Sequence, residues 1–244
     1  MPEQIWSSGI VITTLMRGLL GVEPDAAASE LHWTPHLPPD WSGVTIRNLK
    51  VGASTLTLSL TQTEGAADLK VEDRGPGVRL VFAPEIPLGS QNLRALVNGR
   101  PAPASIRAVG QDAEAEVTFR AEPNGAESNT EVELRFESGV RPWVEPGPLV
   151  TGARSSGLRV LDSKLQGHTY SAHLDGRPDA CSPFSIFTPW RAEHVQGGKI
   201  EGHEGHKWKF VASPRPDSCS EASPARDVSD ARYETWTLQI EFTP

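Results

Sequence analysis

The sequence has no cluster of basic residues and, after its first 24 residues, no long apolar run. Its 23 Lys and Arg are outnumbered by 31 Asp and Glu, which gives a formal net charge of −8, and the acidic groups are scattered. Without a basic patch, no nucleic-acid partner and no anionic membrane partner is expected. Since no later window approaches the roughly 20 apolar residues of a membrane-spanning helix, we expect a soluble globular chain.

Cysteine is also scarce, since Cys181 and Cys219 are the only two in the chain. A disulfide between them would close a loop of about 38 residues and contribute roughly 3–4 kcal/mol to stability. Two free thiols are an equal alternative, because nothing in the sequence fixes the redox compartment. The cellular location therefore stays open.

Glycine and proline, in contrast, are abundant. The chain has 22 Gly and 21 Pro among 244 residues, which is many for a helical protein but typical of strands joined by turns. A chain of this length can bury a sizeable core in one or two domains. The composition therefore favours a β-rich globular protein.

The opening stretch PEQIWSSGIVITTLMRGLLGVEPD could be a secretory signal, a membrane anchor, an ordinary amphipathic helix or the cut end of something larger. A signal peptide is disfavoured, because the only charge before the apolar run is the acidic Glu3 and Arg17 interrupts that run after about eight residues. Helical spacing of the apolar residues predicts a helix from about Pro2 to Leu20, ended by Gly21. Because this helix is apolar nearly all round, it should have neighbours on several sides, and the strands that follow could supply some of them.

After residue 24 the apolar residues follow a period of two, which is typical of half-buried strands. Seven or eight short segments show it: VTIRNLKV, STLTLSLTQ, ADLKVED, GVRLVFAPE, LRALVNGRPAPASIRAV, AEVTFRAE and TEVELRFE. A Gly-Pro-Gly turn at 75–77 and the hairpin signal Asn98-Gly99 separate some of them. This spacing predicts an antiparallel β-sandwich over residues 25–145.

The segment 141–157 is rich in Pro, Gly and Ser and has no period, so it is the predicted domain boundary. Shorter strand-like segments follow it: GLRVLDSKL, HTYSAHLDG, FSIFTPW, KWKFVAS and YETWTLQIEFTP. They predict a second, smaller β-domain over residues 155–244, in which the polar stretch 214–230 is a loop. The predicted fold is therefore mainly β, with an N-terminal helix at residues 1–24.

The runs PEQIWSSGIVITTLMRGLLGVEPD and LHWTPHLPPDWSGVTIRNLKVG resemble the C-terminal part of bacterial α/α-barrel glycosidases. The similar enzymes are the glycogen-debranching, amylo-α-1,6-glucosidase-like family and its trehalase-like and rhamnosidase-like relatives. In them a Trp-Ser element opens the last inward barrel helix, and a strand similar to LHWTPHLPPDW leads into a β-sandwich. The later GLRVLDSKLQGHTYSAHLDG also resembles their closing strand pair, and the likeness is loose after Pro183. The resemblance implies that the helix at residues 1–24 is a remnant barrel helix, which other barrel helices surround.

Catalysis in such enzymes is expected to use two carboxylates held across a pocket, a general acid and a general base. The resemblance implies that both come from barrel loops outside this chain, so the chain alone is expected to be non-catalytic. Glu3 is the one catalytic candidate, although a first-turn Glu favoured by the helix dipole is the ordinary explanation. Gln4 and Trp6 would line the pocket floor of an intact relative.

A metal site is suggested only by EGHEGHKW, which places His203 and His206 at a His-x-x-His spacing. Glu204 or His194 would have to complete the ligand set. On a strand or turn this spacing is not specific, so a solvated hairpin tip is the favoured explanation. The WSSG run lacks the pattern of a serine nucleophile elbow, and no cofactor is expected.

The seven Trp are the remaining candidates for ligand contacts, because flat indole rings suit sugar faces. Trp143, Trp190 and Trp208 could stack on an oligo- or polysaccharide, although core burial is the usual role of Trp in strands. Three functions stay open: a non-catalytic β-domain (or short paralogue) of a glycoside hydrolase, a carbohydrate-binding module, and a hydrolase with an unrecognised site. If the barrel is absent, a homodimer through the N-terminal helix is expected to cover its apolar surface.

Overall fold

The structure, a computed structural model, describes residues 5–121, 128–144, 157–177, 180–219 and 233–244. Within these ranges it is mainly β, with one short N-terminal helix and several antiparallel sheets, so the predicted fold class is confirmed. Most of the predicted boundary segment, and most of the predicted polar loop after Pro214, lie outside the described residues.

From Ile5, the first described residue, the N-terminal helix is an α-helix, α1 (Ile5–Thr13), and it continues as a π-helical segment, Thr14–Leu19. From Gly9 to Leu15 its side chains are exposed, so the strands that follow do not cover them. In the part of the chain that the structure describes, no helix is long and apolar enough to cross a membrane.

Gly21 ends the helix in the left-handed region, with φ of 58°. The backbone N–H of Thr34 donates to the carbonyl of Gly21 at 2.9 Å, and that of His36 donates to the carbonyl of Leu19 at 3.0 Å. These bonds fix the C-terminal end of the helix to the segment that follows β2. A Cβ on Gly21 would lie 1.9 Å from the carbonyl oxygen of Thr34, so only glycine fits.

The chain divides into two compact units, of which the first comprises Met1–Ile86 and Ser90–Ser138. Its strands are β1 (Val22–Asp25), β2 (Glu30–Trp33), β3 (Gly43–Val51), β4 (Ser54–Thr63), β5 (Ala66–Arg74), β6 (Val78–Phe82), β7 (Glu85–Ile86), β8 (Gln91–Val97), β9 (Arg100–Ala102), β10 (Ala104–Val109), β11 (Asp112–Ala121) and β12 (Ser128–Glu137). Sheet A has the order β1-β2-β6-β11-β10, with β7 also paired to β11, and sheet B has the order β3-β4-β5-β12-β8-β9. The pairing of β2 with β6 is parallel, and the other pairings in this unit are antiparallel.

The central strands β4 and β5 of the first unit bury one face each, as the period of two dictates. In β4, for example, Leu56, Leu58 and Leu60 are buried while the residues between them are partly exposed. From Gly9 onward, where the side chains are described, the helix adds no buried residue to this core before Leu20.

The second unit comprises Pro87–Gly89 and Gly139–Pro244. Its strands are β13 (Arg141–Val144), β14 (Arg159–Gln166), β15 (Thr169–Gly176), β16 (Ser182–Phe187), β17 (Arg191–Gln196), β18 (Gly198–Glu204), β19 (Lys207–Ala212) and β20 (Glu234–Thr243). They form two four-stranded sheets, sheet C in the order β13-β16-β19-β18 and sheet D in the order β14-β15-β20-β17. Tyr170 of sheet D stacks on Phe184 of sheet C, with ring centroids 6.3 Å apart, inside one shared core.

The helix end generates the first prediction, in which Gly21→Ala is compared with Gly110→Ala. Both glycines have φ near 60°, but a Cβ on Gly110 would have no atom within 4 Å. Gly110→Ala should lose about 1 kcal/mol of unfolding free energy for the left-handed backbone alone. Gly21→Ala should lose roughly 1–3 kcal/mol more, because the Thr34 carbonyl must move. Urea denaturation measures both, and equal losses would show that the close approach to Thr34 is not a constraint.

Candidate functional site

The residues predicted to line an active site fall at the edge of what the structure describes. Glu3 and Gln4 lie outside the described residues, and Trp6 lies in α1 with only its backbone described. Their roles as catalytic and substrate-binding candidates therefore remain predictions.

The tryptophans of the second unit occupy different environments. Trp190 and Trp208 are partly buried against the core of that unit, and the indole N–H of Trp208 donates to the carbonyl of Trp190 at 3.0 Å. Trp143 pairs with Ser185 of β16, whereas Trp208 pairs with the next residue, Ile186. Because neighbouring residues of a strand point to opposite faces, Trp143 and Trp208 cannot form one stacking platform.

The candidate metal residues are held by other contacts. His203 stacks on Trp208, with ring centroids 4.7 Å apart and 21° between the planes, and Glu204 forms an ion pair with Lys209 at 3.4 Å. His206 lies in the turn between β18 and β19 and is exposed. Among the described residues, no three His, Cys, Asp or Glu side chains converge in a way that could hold a metal ion.

Cys181 and Cys219 form a disulfide, with their Cα atoms 5.7 Å apart. Cys181 precedes β16, and Cys219 follows the short 3-10 helix Pro216–Ser218. The bond therefore ties the segment after β19 to the start of β16, across a sequence separation of 38.

A group of charged residues in the first unit has no counterpart in the sequence predictions. We call it the His36 cluster: His36, Glu85, Arg107, Glu114 and Glu116. Glu85 of β7 and Glu114 of β11 are register partners, so their side chains share one face of sheet A. Two carboxylates directly opposite each other repel, and cations must balance them.

Cationic partners supply that balance from two sides. The imidazole of His36 lies between the two carboxylates, with Nδ1 3.5 Å from a Glu85 oxygen and Nε2 4.0 Å from a Glu114 oxygen. The guanidinium of Arg107 donates to Glu114 at 2.8 Å and lies 3.6 Å from Glu116. The Glu114 side chain is only 4% exposed, and a charge so buried is stable only when it is paired.

The electrostatics of the cluster shift the pKa of two cations. The hydrogen bond to Glu85 raises the pKa of His36, partial burial opposes this, and the charges of Glu85, Glu114 and Asp112 add to the rise. The hydrogen bond to Glu114 raises the pKa of Arg107 further above its usual value. Glu114 is bound by Arg107 on one side and faces His36 on the other. The cluster therefore links the loop that carries His36 to strands β7, β10 and β11. It does not present an unpaired acid or base.

Sequence reasoning missed this cluster because its members are far apart in the chain. In DAEAEVTF the carboxylates of Glu114 and Glu116 alternate with the small apolar Ala113 and Ala115, which assigns them to the solvent face. Glu114 is buried because β7 pairs beside it and because Arg107 and His36 lie against its carboxylate.

His36 generates the second prediction, which concerns pH. Its folded pKa is raised, so its stabilising effect is fully present below the unfolded value of about 6.5 and is lost as pH rises through the folded value. His36→Gln should therefore destabilise the protein more at pH 5.5 than at pH 9, by about 1 kcal/mol or less for a partly exposed pair.

Urea denaturation at both pH values is the measurement, and Glu85→Gln should remove the same pH dependence. His206→Gln, in an exposed turn, is the control for losing an imidazole elsewhere. A His36→Gln protein with the pH profile of the unmodified chain would contradict the assignment.

Comparison with known proteins leaves the family open. No protein-family model and no curated protein matches the chain. Among solved structures it is similar to the crystal structure of Ara127N-Se, a GH127 β-L-arabinofuranosidase from Geobacillus stearothermophilus T6, with a TM-score of 0.33 and 13% identity. The match covers 91% of this chain and 32% of that one, so this chain spans about a third of the length of its neighbour. The neighbour is a glycoside hydrolase, and a likeness this weak assigns neither a family nor an activity.

Proposed function

We propose that this chain is the non-catalytic C-terminal β-region of an α/α-barrel glycoside hydrolase, and that α1 is a barrel helix. The proposal rests on the resemblance of residues 3–51 to such enzymes and on the surface that α1 presents. Its role would be to complete and support the barrel, while the barrel loops carry the chemistry.

The exposed apolar surface of α1 is the observation that carries the proposal. Ile10, Val11 and Ile12 are 57%, 67% and 61% exposed, and Leu15 is 46% exposed. Three consecutive residues point in directions about 100° apart on a helix, so this surface is wider than the single stripe of an ordinary surface helix. Burying each such side chain is worth roughly 1.5–3 kcal/mol, and a patch of this kind marks an interaction site.

A helical layer is the environment that such a surface fits. The strands of the first unit already cover one another's apolar faces, and from Gly9 to Leu19 the helix buries no residue in that core. In an α/α barrel, neighbouring helices would contact α1 on several sides, which accounts for apolar residues at consecutive positions.

The carboxylates of the His36 cluster are consistent with a supporting role. A glycosidase needs one carboxyl group that donates a proton and one that activates water or attacks, both at the substrate. In the His36 cluster, by contrast, Glu114 is bound by Arg107 and Glu85 lies beside His36.

The third prediction is that the isolated chain releases no glucose from maltose or glycogen, because its partner barrel supplies both carboxylates. Glucose release is measured for the unmodified chain and for Glu3→Gln, Glu85→Gln and Glu114→Gln. Activity that one of these substitutions abolishes would refute the proposal. The genomic sequence upstream of Met1 gives an independent check. It should encode several hundred barrel-like residues, either in the same reading frame or in an adjacent gene.

The fourth prediction concerns association of the isolated chain through α1. Without a barrel, the apolar surface should be covered by the α1 of a second copy, and Ile12→Asp with Leu15→Asp should abolish that contact. Thr13→Asp with Thr14→Asp adds the same two charges at exposed polar positions of the helix and is the matched control. Light scattering at micromolar concentration measures the molar mass, and an unchanged mass in the Ile12/Leu15 variant would exclude association through this helix.

A further inference from the structure

The two-residue strand β7 pairs only with β11 and is too short to offer an edge. Apart from it, the four described sheets have eight edge strands, and seven of these carry a feature that obstructs further pairing. Proline lies within three of them, at Pro24 in β1, Pro101 in β9 and Pro142 in β13. A bulge interrupts the other four, which are β3, β14, β17 and β18. Prolines and bulges are the devices with which proteins keep sheet edges from pairing with other strands.

The eighth edge strand, β10 (Ala104–Val109), has neither device. It pairs with β11 in an unbroken register from Ala104–Val117 to Val109–Asp112. The residues from Ser105 to Val109 are all exposed, and Ile106 and Val109 are 40% and 39% exposed. This is a regular, uncovered strand edge with apolar side chains.

The direction of its open backbone groups follows from the hairpin. Gly110 and Gln111 form the two-residue turn between β10 and β11, so Val109 and Asp112 are a hydrogen-bonded pair. Since bonded and non-bonded pairs alternate, Ala104, Ile106 and Ala108 direct their N–H and C=O groups away from β11. Among the described residues, no other backbone hydrogen bond reaches these groups.

We propose that β10 pairs with the β10 of a second copy, antiparallel and about a two-fold axis at Ile106. In this register Ile106 faces Ile106 of the second copy and Ala104 faces Ala108, so every outward N–H and C=O of the three residues has a partner. The pairing joins two A sheets into one continuous sheet and is self-complementary, as a two-fold interface requires.

Side-chain chemistry selects this register over its neighbours. Shifting the axis to residue 107 would place two Arg107 side chains directly opposite each other, and like charges at such positions destabilise a strand pair. Shifting it to residue 105 would leave the outward groups of Ala108 unpaired. With the axis at Ile106, Arg107 faces Ser105 and keeps its ion pair with Glu114 on its own copy.

The β10 contact is independent of the contact expected through α1. The unmodified chain and three variants distinguish the two contacts. With both contacts the chain should form assemblies larger than a dimer, since two different two-fold contacts build an open chain. The α1 variant (Ile12→Asp, Leu15→Asp) should be a dimer through β10. Ala108→Pro should be a dimer through α1, because proline removes one outward N–H and is tolerated at a strand edge. The combined variant should be a monomer, with half the molar mass of either dimer.

Light scattering gives the masses, and circular dichroism with a thermal melt checks that each variant is folded. If Ala108→Pro does not fold, Ile106→Lys places a charge at the same edge without touching the backbone. A monomeric α1 variant would overturn the β10 contact, whereas an α1 variant with the same mass as the unmodified chain would overturn the α1 contact instead.

A single added cysteine tests the register itself, because both native cysteines are already bonded. Paired residues at the axis have Cα atoms about 5.5 Å apart, within the range of a disulfide. In the α1 variant, Ile106→Cys should therefore form a covalent dimer on mild oxidation, whereas Ala108→Cys should not, because it faces Ala104. Cross-linking of both or of neither would overturn this register.

Discussion

The need of every backbone N–H and C=O for a hydrogen-bond partner is the constraint on which most of this structure depends. A strand inside a sheet meets that need on both sides, whereas an edge strand leaves one row of groups open. The many prolines and glycines therefore do more than form turns. Pro24, Pro101 and Pro142 lie in edge strands, where a missing N–H removes no bond of the sheet. Most edge strands of the described sheets carry a proline or a bulge, so the regular strand β10, which has neither, is an exception among them.

The N-terminal helix is subject to a different constraint, the burial of apolar side chains. Its end is fixed by the backbone bonds between Leu19 and His36 and between Gly21 and Thr34. Leu20 and Val22 then begin the core of the first unit. The helix is thus anchored at one end, while Ile10, Val11, Ile12 and Leu15 stay exposed. Since most helical stability in proteins comes from packing of an apolar face, these exposed side chains add little to the stability of the fold.

Local pattern predicted much of the fold, because period and turn chemistry act within a few residues. The alternation in STLTLSLTQ placed Leu56, Leu58 and Leu60 on the buried face, and Gly21 marked the end of the helix. The π-helical segment Thr14–Leu19 was not predicted, because such segments are rare and the apolar pattern was interpreted with the α-helical period.

The candidate site was less predictable, because it depends on register between distant strands. The alternation of residues in β11 directs Glu114 away from the apolar face, so the sequence predicts that this side chain is exposed to solvent. Glu114 is buried because Arg107 of β10 and His36 of the loop after β2 lie against its carboxylate. The same limit applies to Trp143 and Trp208, whose opposite faces follow from the pairing of β13 and β19 with β16.

Two surfaces of the first unit are the basis of the proposed contacts with other polypeptide. Its buried carboxylate Glu114 is neutralised by neighbours, so its charge is used within the fold. The apolar side chains of α1 and the outward backbone groups of β10, in contrast, lack partners among the described residues. Apolar side chains on several sides of a helix are covered best by other helices, and an open strand edge is met by another strand. The two surfaces therefore call for different partners. The proposed barrel would meet the need of α1 for apolar burial, and the proposed second copy would meet the need of β10 for backbone hydrogen bonds.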